Sequence, residues 1–479
     1  MIQSLLNKYH NLSKPVKASF WFIVSSFLLK GISFITLPIF SRLLTPGEYG
    51  VVAVYTSWVS IISIITTLTI WGGVFNVGMV GYPRQRSELI SSFQGLATTI
   101  TLIFMALTIL TLPYTMKFFG ISKLLIICMY IEILVQIPFC LWATEQRYDY
   151  KYKAQVYVTI INSILNPVIG VIAVLSCPYK AEARIISALL IQVIIGAIFF
   201  IKNQYSGKKF FDLAFWKFGF LFNVVLIPHY LSTQILNQSD RVMINNICGS
   251  ADAGIYSVAY TFAMLLTLIT NGINSSYTPF IYKNLKINNT GSIHKSSFTV
   301  CGTVAVVVLL LICFIPDIYT LLLPVSYYPS LPVIPPVAAS AYFLFLYSWF
   351  GSVEFYYKEN TYITIASMIG AVLNIILNLI FIPIYGFMAA AYTTLFCYIC
   401  FTAFHFIFMN KVLKKNNVKD KIFAAKEIFL ISLLICIISI IMVFLYDYTL
   451  IRWCIILFIC FIILIKRNSL VKRLRGLKE

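Results

Sequence analysis

Apolar stretches of about 20 residues follow one another from end to end of this chain, and no other feature constrains its fold as much. That length matches the hydrocarbon thickness of a bilayer when the backbone is helical. Fourteen such runs occur, near 17–42, 50–76, 89–113, 122–144, 154–176, 184–201, 218–247, 254–280, 296–315, 330–352, 362–382, 387–409, 427–446 and 450–466. Water-soluble domains could not hide them. Hydrophobic residues make up 60% and charged residues 11% of the chain, against about 45–50% and about 25% in soluble domains. These proportions exclude a soluble enzyme, a nucleic-acid-binding protein and an extracellular disulfide scaffold. Long alternating strand patterns are absent, which argues against an outer-membrane barrel. The expected fold class is an all-α polytopic membrane protein of about 14 transmembrane helices.

The charges orient it. The sequence carries 36 Lys and Arg against 16 Asp and Glu. With the N-terminus placed in the cytoplasm, 28 of the basic residues fall in cytoplasmic segments. Six fall on the other side (Arg42, Lys117, Lys123, Lys180, Arg184 and Arg452), and Lys30 and Arg241 lie inside spans. Such asymmetry is the positive-inside pattern, so both termini are expected in the cytoplasm. The first run is too long for a cleaved signal and is expected to be a retained anchor. The eleven Cys read as small hydrophobes, including Cys397 and Cys400 within one apolar run.

A faint repeat divides the chain. Glu48-Tyr49-Gly50 opens the second span and Asp252-Ala253-Gly254 opens the eighth, 204 residues later. Two parallel six-helix lobes are therefore expected, as in several transporter folds. They would comprise residues 1–210 (spans one to six) and 211–410 (spans seven to twelve). Residues 411–479 would add spans thirteen and fourteen and a basic tail.

Polar side chains recur within spans at helical spacing and so share faces. Ser19, Ser26, Lys30 and Ser33 align in span one, and Thr56, Ser60, Ser63 and Thr67 in span two. Gln234, Gln238, Arg241 and Asn245 align in span seven, beside Asn237 and Asp240; Thr267, Asn271, Asn274 and Thr278 align in span eight; and span eleven has Asn374 and Asn378. Such residues can be interhelical glue, but the stripe in span seven is polar enough to line a wet cavity. Charges at mid-bilayer cost about 2.5–3.5 kcal/mol even on a mild insertion scale. Lys30 and Arg241 are therefore candidates for attracting an anion, with Glu132 and Asp240 as candidates for ion coupling through a proton. The competing reading is internal pairing, for example of Lys30 with Glu132.

Catalytic constellations are missing. The four His have no companions at metal-ligand spacing, and neither a P-loop nor a G-x-S-x-G motif occurs. No cofactor is implied. Glu354, just ahead of Tyr356-Tyr357-Lys358, reads as a solvated carboxylate at a span end.

Three stretches resemble the bacterial polysaccharide (O-antigen) flippases of the multidrug/oligosaccharidyl-lipid/polysaccharide exporter superfamily. They run from Phe34 to Tyr55 (FITLPIFSRLLTPGEYGVVAVY), from Asp240 to Tyr260 (DRVMINNICGSADAGIYSVAY) and from Tyr356 to Tyr398. One departure is Met388, where the family usually has a second Gly after Ile384-Tyr385-Gly386. The resemblance covers essentially the whole chain. It implies two lobes around a central cavity, working by alternating access in the bacterial cytoplasmic (inner) membrane. The implied substrate and partner is an undecaprenyl-diphosphate-linked oligosaccharide, with membrane lipids and other surface-polysaccharide assembly proteins as further partners and no nucleic acid. A multidrug or cation antiporter, a peptidoglycan-precursor flippase of the same superfamily, and a polytopic glycan polymerase are the alternatives.

Overall fold

The computed structural model describes residues 13–418 and 420–475, which form helices and turns with no strand among them. Lys8, His10, Lys419 and Lys478, which entered the charge and histidine readings, lie outside the described residues. Every one of the fourteen apolar runs is met by helix. Twelve helical segments are long and apolar enough to cross a membrane, and a bent pair supplies the seventh span. The last run coincides with Thr449–Arg475, whose apolar part is Thr449–Phe461.

The chain divides into two compact units, Met1–Asn246 and Ile247–Glu479. The first contains α1 (Lys14–Leu43), α2 (Pro46–Thr67), α3 (Gly73–Gly81), α4 (Arg86–Leu110) and α5 (Leu112–Phe119). It continues with α6 (Lys123–Tyr148), α7 (Tyr152–Ser176), α8 (Lys180–Gly207), α9 (Leu213–Val224) and most of α10 (Ile227–Cys248). Local chemistry sets these boundaries. Thr45 and Glu48 form a reciprocal capping box, with Thr45 N–H donating to Glu48 Oε2 at 2.7 Å and Pro46 in the first turn. The acidic residue of the Glu48-Tyr49-Gly50 triplet thus works as a helix starter. The second span is shorter than its apolar run: α2 stops at Thr67, where Leu68 and Thr69 take left-handed φ values of 54° and 49°, and α3 is a separate short helix.

Small residues let these helices approach closely, as bilayer packing requires. A Cβ at Gly196 of α8 would lie 2.6 Å from Val135 Cβ of α6, so the two helices meet there almost backbone to backbone. Phe215 of α9 joins the core formed by Leu68, Ile70, Phe75, Phe93 and Leu96. This contact ties α9 to the first unit, which runs on to Asn246.

The second unit begins at Ile247, near the end of α10, and holds α11 (Ser250–Ala263), α12 (Leu266–Lys286), α13 (Thr290–Leu322), a 3₁₀ segment (Val325–Val333), α14 (Ile334–Tyr356), α15 (Asn360–Tyr385) and α16 (Phe387–Lys415). The final pair, α17 (Ala425–Leu445) and α18 (Thr449–Arg475), packs on α13. Gly386, at φ +68°, makes the turn between α15 and α16, a conformation that L side chains resist. Arg452, counted above as a connector charge, is instead buried in α18 and reaches back to α13, with its Nη1 2.7 Å from Asp317 Oδ2.

Candidate functional site

The site is built on the seventh span, which is broken. Helices α9 and α10 meet at a bend of 53°. Pro228 explains the break: it has no N–H to offer the carbonyl four residues back, at Val224, and its ring would clash with that carbonyl. Beyond the bend, α10 carries the polar stripe. The Arg241 guanidinium donates through Nη1 to Asn237 O at 2.8 Å and to Gln238 Oε1 at 2.6 Å. Gln238 Oε1 also lies 3.1 Å from Ser57 Oγ of α2. Arginine, glutamine and serine are thus brought together across α2 and α10 of the first unit, with Arg241 and Gln238 only half-buried. Asp240, next in sequence to Arg241, is turned inward and buried.

Tyr49 lies within electrostatic reach of two guanidinium groups, those of Arg241 and Arg184. Arg184 also lies over the Phe40 ring at 4.5 Å and within electrostatic reach of Glu132. The carboxylate of Glu132 is tied from two sides: Tyr55 Oη donates to Oε2 at 2.6 Å, and Gln192 Nε2 donates to Oε1 at 3.1 Å. Lys30 is therefore not its partner. Lys30 is exposed on α1 and takes part in no ion pair among the described residues. Gln234 is half-buried on the stripe, and Asn245 donates to Asn246 Oδ1 at 3.2 Å beside the left-handed turn at Gly120.

Asn271 and Asn274 belong to the second unit. Asn271 is exposed, whereas Asn274 Oδ1 accepts from the buried Trp349 indole at 3.0 Å. Asn374 and Asn378 of α15 are linked at 3.3 Å and bond to Thr394 and Thr393 of α16. All four are buried, which is interhelical glue as expected of such residues. Glu354 requires a correction. It is not solvated: its side chain is 0% exposed, with both oxygens about 3 Å from His405 Nδ1. The pair is 51 residues apart in sequence, and no local pattern signals it. The one clue was a carboxylate and a histidine near the same end of two apolar runs.

The fold is that of the transporters of the MOP superfamily. The inward-closed conformation of the lipid II flippase MurJ superposes with a TM-score of 0.62 at 17% identity, over 92% of this chain and 99% of that one. An inward-facing multidrug-resistance MATE family transporter of the MOP superfamily gives 0.57 at 12% identity, over 82% and 96%. Residues 16–285, more than half of the chain, match the polysaccharide biosynthesis protein family, and the chain belongs to that family. A relative in Haemophilus influenzae, "Lsg locus putative protein 1", is 21% identical over 282 residues, covering 57% of this chain and 67% of that protein.

Proposed function

We propose that the protein is a flippase that carries an undecaprenyl-diphosphate-linked oligosaccharide, a repeat unit of O-antigen or another surface polysaccharide, from the cytoplasmic to the periplasmic leaflet of the inner membrane. The observation that carries the reading is the Ser57–Gln238–Arg241 group: a guanidinium, an amide and a hydroxyl maintained on membrane-spanning helices. Amides and hydroxyls recognise sugar hydroxyls. A guanidinium grips phosphate oxygens through two N–H groups at once, where an ammonium acts as a point charge. Arg241 and the exposed Lys30 are the cations that would meet the diphosphate, with Gln234, Gln238 and Asn245 on the same stripe of the first unit. Membership of a polysaccharide biosynthesis family and a transporter fold support the same reading. Alternating access would be driven by an ion gradient or by the membrane potential, worth about 2.3 kcal/mol per charge per 100 mV.

The test is genetic and chemical. Deleting the gene should stop surface-glycan assembly while lipid-linked repeat units accumulate on the cytoplasmic side. A strain in which the repeat unit is never made would show that the protein acts earlier, as an enzyme of synthesis.

A further inference from the structure

Glu354 of α14 and His405 of α16 form an acid–base pair sealed inside the second unit. Nδ1 lies 3.1 and 3.0 Å from the two carboxylate oxygens, and neither side chain is exposed. The imidazole packs against the rings of Tyr347 and Phe401, with centroids 4.9 and 4.6 Å away. Its far nitrogen, Nε2, is buried with no hydrogen-bond partner among the described residues. We infer that Glu354 and His405 together bind one exchangeable proton, and that this proton is coupled to transport.

The stoichiometry follows from charge. With no proton shared between them, a neutral imidazole faces a carboxylate and the pair leaves one negative charge away from water, which is strongly unfavourable. With one proton added, as imidazolium–carboxylate or imidazole–carboxylic acid, the pair is neutral. A second added proton would leave a buried positive charge. Tyr347 is the other titratable group against the pair. From α11, α12, α13, α15, α17 and the 3₁₀ segment, which all pack against α14 or α16, no charged side chain acts on Glu354 among the described residues. No fixed cation therefore replaces the proton.

The protonated pair also carries a cost. In both hydrogen-bonded neutral forms Nε2 bears a hydrogen, and this arrangement gives that buried donor no acceptor. Opposed penalties on the empty and the loaded site are what an exchanging site needs. The route out is short. Glu354 is two residues from the end of α14, and its carbonyl accepts from Glu359 N at 3.0 Å, in the turn that holds the exposed Lys358. The charge pattern puts that turn on the cytoplasmic side.

The proton site stands on this geometry alone, whereas its coupling to transport rests on the proposed function. Infrared pH-difference spectra of the purified full-length protein, in water and in heavy water, test the first. A titrating carboxylic-acid band is expected in the unaltered protein, with one component missing from Glu354→Gln and a displaced midpoint for that component in His405→Gln. Spectra that superimpose for all three proteins would overturn the site. Should Glu354→Gln fail to fold, His405→Gln keeps the test open, because its amide can still donate to the carboxylate. Transport of lipid-linked saccharide into vesicles tests the second part. The several-fold dependence on pH expected of the unaltered protein should flatten in His405→Gln at equal membrane abundance. An unchanged slope would overturn the coupling. A complete lack of transport by the unaltered protein would overturn the proposed function and leave the spectroscopic result standing.

Discussion

Tyr55 holds Glu132 across 77 positions of sequence, with its hydroxyl 2.6 Å from Oε2. Together with Gln192, it gives the carboxylate one donor on each oxygen. Tyr55→Phe leaves one oxygen of a half-buried carboxylate without its donor, a loss of about 1–3 kcal/mol. A lower thermal unfolding midpoint for the purified variant, with the helical content unchanged, is the expected result; an unshifted midpoint would mean that water replaces the phenol.

Glu132 and Asp240 are proposed to share in ion coupling within the first unit. Glu132→Gln and Asp240→Asn are expected to lose part of the pH response of transport while reaching the membrane in normal amounts. An unaltered response in both variants would remove the first unit from coupling and leave that role to the pair in the second.

Arg241 and Lys30 differ in how they are held. Arg241 is fixed by Asn237 and Gln238, so Arg241→Ala also strips Gln238 Oε1 of a charged donor. Lys30 is exposed, and Lys30→Ala removes only a charge. An ion pair at about 4 Å is worth about 4 kcal/mol at an effective dielectric of about 20, before desolvation is subtracted. Either alanine variant should therefore transport less, the double variant not at all, and Arg241→Lys should keep part of the function. Glycan transport is to be measured beside membrane abundance. Activity surviving the double change, or abundance collapsing with activity, contradicts the anion-site reading.

Spans were legible because apolar length is a local property, and every run the sequence offers is occupied by helix. The polar face of α10 was legible for the same reason: residues three and four apart share a face whatever surrounds them. The break ahead of it could be read from Pro228. Partners were not legible. Glu132 bonds to residues 77 and 60 positions away, and Glu354 to one 51 away. Their pairing depends on helix order and rotation within each unit, which hydropathy does not encode. Lys30 illustrates the converse: a mid-span position marks a residue as costly without showing which way it faces.

Topology can be tested independently of function. Reporter fusions at Ser250, the first residue of α11, and at Lys415, the last of α16, are expected on the periplasmic and cytoplasmic sides respectively. The same side for both would overturn the two-lobe arrangement of spans.

The link between Arg452 and Asp317 predicts how the last helix pair is retained. Arg452 is 3% exposed, and its Nη1 donates to Cys313 O at 3.0 Å as well as to Asp317 Oδ2 at 2.7 Å. Its Nη2 donates to Asp317 Oδ1 at 3.2 Å. The fork therefore spans one turn of α13, and nearby Tyr446 donates to Ile312 O at 3.2 Å. Removing a buried charge's partner is usually worth about 3–5 kcal/mol, but the Asp317 side chain is 33% exposed and can rehydrate. The loss expected for Arg452→Ala is therefore nearer that of a charged hydrogen bond, about 1.5–3 kcal/mol. Asp317→Asn should cost more than the alanine change in relation to the atoms removed, because it leaves the buried guanidinium without its counter-charge. Limited proteolysis of the purified variants, together with thermal unfolding, separates the outcomes. Earlier cleavage between α16 and α17, with the rest of the chain protected, is expected if the contact docks the pair, whereas a uniform loss of protection would mean that Arg452 supports the whole second unit.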